Sequence, residues 1–157
     1  MDSYVKKIRS LVGNTEKIIL HACAVIITNE NNEILLQQRA DTLKWGLPGG
    51  LKELNETLLE CAKREVKEET NLDVKILKLQ GIYTNPDMSW FGYDHAEVIC
   101  TMFIGKASGE IKCDNEEGVA LKYFKKEDLP VIHSVDNFEA ITDYFNNRHN
   151  VVDGRIL

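Results

Sequence analysis

Apolar and polar positions alternate or cluster along the chain in ways that define most of its elements. Tyr4, Val5, Ile8 and Leu11 recur at helical spacing within residues 2–11, with Lys6, Lys7 and Arg9 on other faces, which predicts a short docking helix. The run KIILHACAVIIT (17–28) is β-rich and long enough for a central strand. NENN (29–32) supplies turn chemistry, and EILLQQR (33–39) is the expected hairpin partner. Residues 40–50, ADTLKWGLPGG, predict a loop and short strand punctuated by Pro48 and paired glycines. Three further strands are expected at 73–84, 96–107 and 119–124, and a C-terminal helix at 135–147.

Between the early and late strands, Thr57 and Glu60 form the S/T-x-x-E pattern of a capping box, so a helix is expected to begin at Thr57 and run to Thr70. At about 100° per residue, Leu58, Leu59, Ala62 and Val66 fall on one side, the expected core face. Glu60, Lys63, Lys67 and Thr70 are expected to point away from it. Glu65 and Glu69 project along one edge, and Glu68 lies one turn from Glu65, further toward solvent. Arg64 is spaced to pair with Glu68. Strands on either side of a central helix, with another helix at the end, predict a mixed sheet covered by helices.

Composition narrows the function classes. The 157 residues are 43% hydrophobic, enough for one domain that buries roughly 70% of its unfolded surface, and no repeat or linker divides them. Lys and Arg number 19 against 25 Asp and Glu, a formal charge of −6 with no basic stripe, so a nucleic-acid polymer is not the expected partner. A small phosphorylated ligand still suits an acidic protein when a divalent cation bridges the two. Cys23, Cys61, Cys100 and Cys113 form no C-x-x-C pair, which predicts reduced thiols in place of a zinc knuckle or disulfide framework. Neither an apolar leader core nor 18 continuous apolar residues occur, so the expectation is a cytoplasmic protein without a membrane partner; a homodimer is left open.

On composition alone, an acidic helix is an ordinary solvated face, because glutamate is a good helix former. The arrangement changes that reading. Gly50, five residues, Glu56, seven residues, then Arg64-Glu65-Val66-Lys67-Glu68-Glu69-Thr70-Asn71-Leu72 closely resembles the Nudix box, G-x5-E-x7-R-E-U-x-E-E-x-G-U with U aliphatic. Every charged and aliphatic position matches, and Asn71 stands where the pattern has glycine. The preceding WGLPGG is similar to the family's usual lead-in, and the resemblance spans about residues 18–147.

This resemblance implies an α/β/α sandwich around a mixed β-sheet for the core at about 18–147; with the short N-terminal docking helix, a single domain is expected to cover residues 1–157. It implies Mg2+ or Mn2+ bound by Glu65, Glu68 and Glu69 with the Gly49 carbonyl, while Glu56 and Arg64 hold the box together and Gly50 belongs to its frame. The implied reaction is hydrolysis of a nucleoside diphosphate joined to a group X. Glu65 and Glu68 compete as the base that activates water, alongside Glu117 and, second to it, Glu116, outside the box. Arg39 is a candidate for substrate phosphate, and Trp90, Phe91 or Tyr93 for stacking on a base, although a surface arginine and plain loop packing explain them as well.

Pro86, fourteen residues beyond Leu72, is close to the spacing associated with ADP-ribose-cleaving members. A nucleotide sugar such as ADP-ribose is therefore the first expectation for X. MutT-like hydrolysis of nucleoside triphosphates is the second, and a non-catalytic nucleotide-sensing module the third.

Asn71 and Asn55 both stand where family members often carry glycine. Asparagine tolerates the left-handed backbone region better than other non-glycine residues, so both turns are expected to survive the replacement.

Overall fold

A computed structural model describes residues 3–88, 96–113 and 118–157. In chain order the elements are α1 (Tyr4–Val12), β1 (Ile18–Ile27), β2 (Ile34–Arg39), β3 (Trp45–Gly46), β4 (Gly49–Leu51), α2 (Leu58–Thr70), β5 (Asp73–Met88), β6 (Ala96–Ser108), β7 (Gly118–Phe124), a 3-10 turn at Lys126–Asp128, α3 (Val135–Phe145), β8 (Val151–Val152) and β9 (Arg155–Ile156). The larger sheet has the order β4-β1-β6-β5-β8-β9, and a second sheet has the order β3-β2-β7.

Strand β1 explains the layering. Its neighbour β6 runs parallel from Ile18 opposite Ala96 to Ile27 opposite Gly105, and β4 pairs antiparallel on the other side. Cys23, Val25 and Ile27 pack with Cys61, Ala62 and Val66 of α2, whereas Leu20, Ala24 and Ile26 pack with Ala140 and Ile141 of α3. Successive side chains point to opposite faces, so one continuous apolar strand feeds two cores only if helices cover both sides. The result is the expected mixed α/β/α arrangement.

Strand β5 pairs antiparallel with β6 along nearly its whole length, with a register shift between Asn85 and Met88. Pro86, which has no N–H for a ladder, sits in that interruption.

Two expectations fail. β2 is not the hairpin partner of β1: apart from an isolated bridge between Thr28 and Ile34, it joins β3 and β7. Both edges of β1 are already taken, by β4 and β6, so β2 turns away into the second sheet. On α2, Leu59 is 47% exposed, while Cys61 and Thr70 are fully buried. Leu59 lies in the first turn, whereas Cys61 reaches toward Gly50 of β4 and Thr70 lies beneath the chain near Lys112, whose N–H donates to the Thr70 carbonyl at 3.0 Å.

Candidate active site

The site is built on α2 and the turns at its ends. Thr57 Oγ1 accepts from the Glu60 N–H at 3.2 Å, and Glu60 Oε2 accepts from the Thr57 N–H at 2.7 Å, so the capping box is closed. At the far end Asn71 adopts φ 62° and ψ 4°, and its N–H donates to the Lys67 carbonyl. That is the left-handed cap commonly filled by glycine, and the Asn71 side chain adds a bond to the Glu110 carbonyl at 3.0 Å. Asn55, before the box helix, also has positive φ, at 64°.

Arg64 organises the acidic flank. Its Nε and Nη2 donate to the two oxygens of Glu56 at 3.0 and 2.9 Å, Nη2 also to the Leu51 carbonyl at 3.1 Å, and Nη1 to Glu65 at 2.6 Å and Glu68 at 3.1 Å. One guanidinium therefore ties the loop carrying Glu56 to β4 and to two helix carboxylates. The hydrogen bonds from Arg64 hold the Glu56 carboxyl down at about 2 despite partial burial, and the same partner set pushes the guanidinium up.

The loop is fitted to the helix through two glycines. Gly49 N–H donates to Glu69 Oε2 at 2.8 Å, and a Cβ at Gly49 would collide with the backbone of Cys23 and Ala24. A Cβ at Gly50 would instead lie 2.5–2.8 Å from the Glu65 carboxylate. Glu69 is thus buried with a backbone partner, and Glu65 rests in space that only glycine leaves open.

A cleft of about 640 Å³ opens beside this flank. Gly49, Gly50, Glu65, Glu68 and Glu69 line one part of it. Arg39 also lines it, but donates two hydrogen bonds to Asp41, at 2.9 and 2.8 Å, and keeps the Asp41 carboxyl below its usual range.

Sequence reasoning missed another lining group: His133, Asp136 and Asn137, from the start of α3 and the segment before it. Asp136 is 2% exposed and accepts from Asn85 and Asn137 amide nitrogens, each at 3.3 Å. Asn137 Oδ1 accepts the Leu47 N–H at 2.7 Å, which fixes its amide. Burial, then the charge of Arg39, lowers His133 to about 4, so its ring is neutral near pH 7. An acidic residue in a first helical turn is common, so no local signal separates Asp136 from an ordinary dipole partner.

The expected site residues therefore fall into distinct groups. Glu56, Arg64, Glu65, Glu68, Glu69, Gly49 and Gly50 come together. Arg39 faces the same cleft. Trp90, Phe91, Tyr93, Glu116 and Glu117 lie outside the described residues.

The helix carboxylates and a nearby loop carbonyl are hard oxygen donors of the kind Mg2+ prefers. Among the described residues, however, no three acidic, His or Cys side chains converge closely enough to hold a metal. The reason is local: Glu65 and Glu68 are turned onto Arg64, and Glu69 onto the Gly49 N–H. The donor set fits a divalent ion in chemistry and shares one cleft, and Glu68, with 60% of its side chain exposed, is the member with most freedom to turn.

The NUDIX domain family matches residues 19–144, which includes the whole of this acidic flank and all but the two end residues of the span from β1 to α3. The chain belongs to the Nudix family. It is accordingly a pyrophosphohydrolase, of a family that generally depends on divalent metal and acts on small nucleotides. An ADP-ribose pyrophosphatase of Methanocaldococcus jannaschii is 35% identical over 82% of the chain and 76% of its own length. A MutT-like protein of Streptomyces ambofaciens is 30% identical over 70% of the chain and 68% of its own length. The crystal structure of a NUDIX hydrolase from Nitrosomonas europaea superposes with a TM-score of 0.72 at 25% identity, covering 85% of the chain and 77% of that structure. No helix among the described residues of this Nudix hydrolase is long and apolar enough to cross a membrane.

Proposed function

We propose that this Nudix hydrolase cleaves the diphosphate linkage of a nucleoside diphosphate joined to X, with an ADP-ribose-like nucleotide sugar favoured, releasing a nucleoside monophosphate and phosphorylated X. The observation that carries the reading is the placement of Glu65, Glu68 and Glu69 on one flank of α2, opening with the Gly49-Gly50 loop onto the cleft. Those carboxylates and the Gly49 carbonyl would hold Mg2+ or Mn2+, which when bound offsets phosphate charge and lowers the pKa of water.

The chain's own residues do the rest. Arg64 fixes the loop and the helix relative to each other, and Gly50 leaves room for the Glu65 carboxylate. Glu65, Glu68 or Glu117 takes the proton from the attacking water. The M. jannaschii relative, named as an ADP-ribose pyrophosphatase, supports the favoured X.

A second reading, MutT-like release of pyrophosphate from a nucleoside triphosphate, is favoured by the S. ambofaciens relative, which is named MutT-like, and would use the same acidic flank.

The test is a magnesium-supplemented panel of ADP-ribose, other nucleotide sugars, dinucleoside polyphosphates and normal or oxidised dNTPs. ADP-ribose is expected to give the highest kcat/KM, and Glu68→Gln and Glu69→Gln to lower turnover by orders of magnitude. Wild-type rates from either variant would remove the metal assignment, and a clear dNTP preference would select the second reading.

A further inference from the structure

Resting on the hydrolase reading above, we propose that helix α1 is part of the substrate-binding wall and that Lys6 binds the phosphate chain of the nucleotide. The helix lies before the residues 19–144 that match the family, yet Ser3, Val5 and Lys6 all line the cleft. It lies outside the matched segment and borders the cleft.

Its position is fixed by several independent contacts. Val5 is 6% exposed and belongs to the same apolar cluster as Val98 and Cys100, two residues that also line the cleft. Tyr4 N–H donates to Glu53 Oε2 at 2.7 Å, and Glu53 N–H in turn donates at 2.7 Å to Glu56, the carboxylate that Arg64 grips. At the other end Arg9 is buried, and its Nη1 donates to the carbonyls of Gly13 and Glu16 at 3.1 and 2.6 Å. The helix is thereby registered to the acidic box through two consecutive hydrogen bonds.

Charge then singles out one residue. The cleft is lined by Asp41, Glu53, Glu65, Glu68, Glu69 and Asp136 against the cations Lys6, Arg39 and Arg64, His133 being neutral. Arg39 is spent on Asp41, and Arg64 on Glu56, Glu65 and Glu68. Among the described residues lining the cleft, Lys6 is the one cation without an ion pair. A polyphosphate entering so acidic a site gains most from a cation that no carboxylate already neutralises. Lys7, about 100° further round the helix, is exposed and does not line the cleft, so it serves as an internal control.

Lys6→Ala, Lys6→Arg and Lys7→Ala are compared with wild type on the best substrate of the panel. Lys6→Ala is expected to raise KM about five- to twenty-fold with kcat within about twofold, and to flatten the rise of KM with added KCl. Lys6→Arg is expected to recover most of the loss, and Lys7→Ala to match wild type. Equal KM values for Lys6→Ala and Lys7→Ala would overturn the proposal.

If wild type turns over nothing in the panel, the substrate reading has failed, and Lys6 is judged by calorimetric binding of inorganic pyrophosphate. There Lys6→Ala must bind at least about fivefold more weakly than Lys7→Ala, and equal affinities reject the role.

Discussion

Arg64 holds Glu56 in a two-pronged ion pair, Nε to Oε2 at 3.0 Å and Nη2 to Oε1 at 2.9 Å, while its remaining nitrogen reaches Glu65 and Glu68. Lysine can supply the charge but not this fork. Arg64→Lys is expected to cost about 1–3 kcal/mol of stability, and to lower kcat more than ten-fold because the two helix carboxylates lose their common anchor. Thermal melts and steady-state kinetics of the variant measure both; wild-type values in either would mean that the fork is dispensable.

The adjacent glycines are expected to fail differently. At Gly49 a methyl group meets the backbone of Cys23 and Ala24, which cannot yield without parting β1 from β4. Gly49→Ala should therefore lose several kcal/mol, roughly 3 or more. At Gly50 the methyl group meets the movable end of Glu65. Gly50→Ala is expected to stay within about 1 kcal/mol of wild type in stability while turnover collapses. Urea titrations paired with activity measurements separate the outcomes, and an active, stable Gly49→Ala would contradict the first.

Acid should act on this protein in two windows. His133 has its pKa lowered from 6.5 to about 4, so between those values the unfolded chain binds the extra proton and the folded one does not. Stability is full above 6.5 and falls as pH drops toward 4, by an amount on the order of 3 kcal/mol. Glu56, lowered from 4.5 to about 2, loses its contribution in the next window down, between 4.5 and 2. Melting temperature against pH for wild type and His133→Gln tests the assignment: the variant should be flatter between 6.5 and 4 and unchanged below. Identical slopes in the upper window would exclude His133 as the source.

Asn71 caps α2 with a left-handed backbone. Asn71→Val is expected to cost about 1–2 kcal/mol more than Asn71→Gly, since a β-branched side chain is poorly tolerated there. Equal melting temperatures for the two would contradict the assignment.

The helix α2, its capping box and the clustering of its carboxylates were legible because they depend on spacing within one short segment. So were the long strands, whose apolar runs need only local pattern. The pairing of β2 was not, because β1 and β2 are joined by a plausible turn and nothing local records that β4 and β6 occupy both edges of β1. The two-residue strands β8 and β9 are too short to show periodicity. Periodicity also assigned Leu59 to the core and Thr70 to solvent; the chain around Lys112 and Gly50 decided otherwise. Asp136 and Lys6 reach the cleft from opposite ends of the sequence, so their association with the box is a property of the tertiary fold.

Left-handed turns at Asn32, Asn55, Asn71, Asn147 and Asn150 all use asparagine where glycine would serve. Each such choice acts on the denatured chain as well as on the turn. A residue with a side chain explores fewer backbone states than glycine when unfolded, so less entropy is surrendered on folding, by roughly 0.4–1 kcal/mol at a compatible position. Replacing the box glycine by Asn71 thus trades a small steric penalty in the native turn for a narrower denatured ensemble, and the end of α2 is held in place partly by what the unfolded polymer can no longer do.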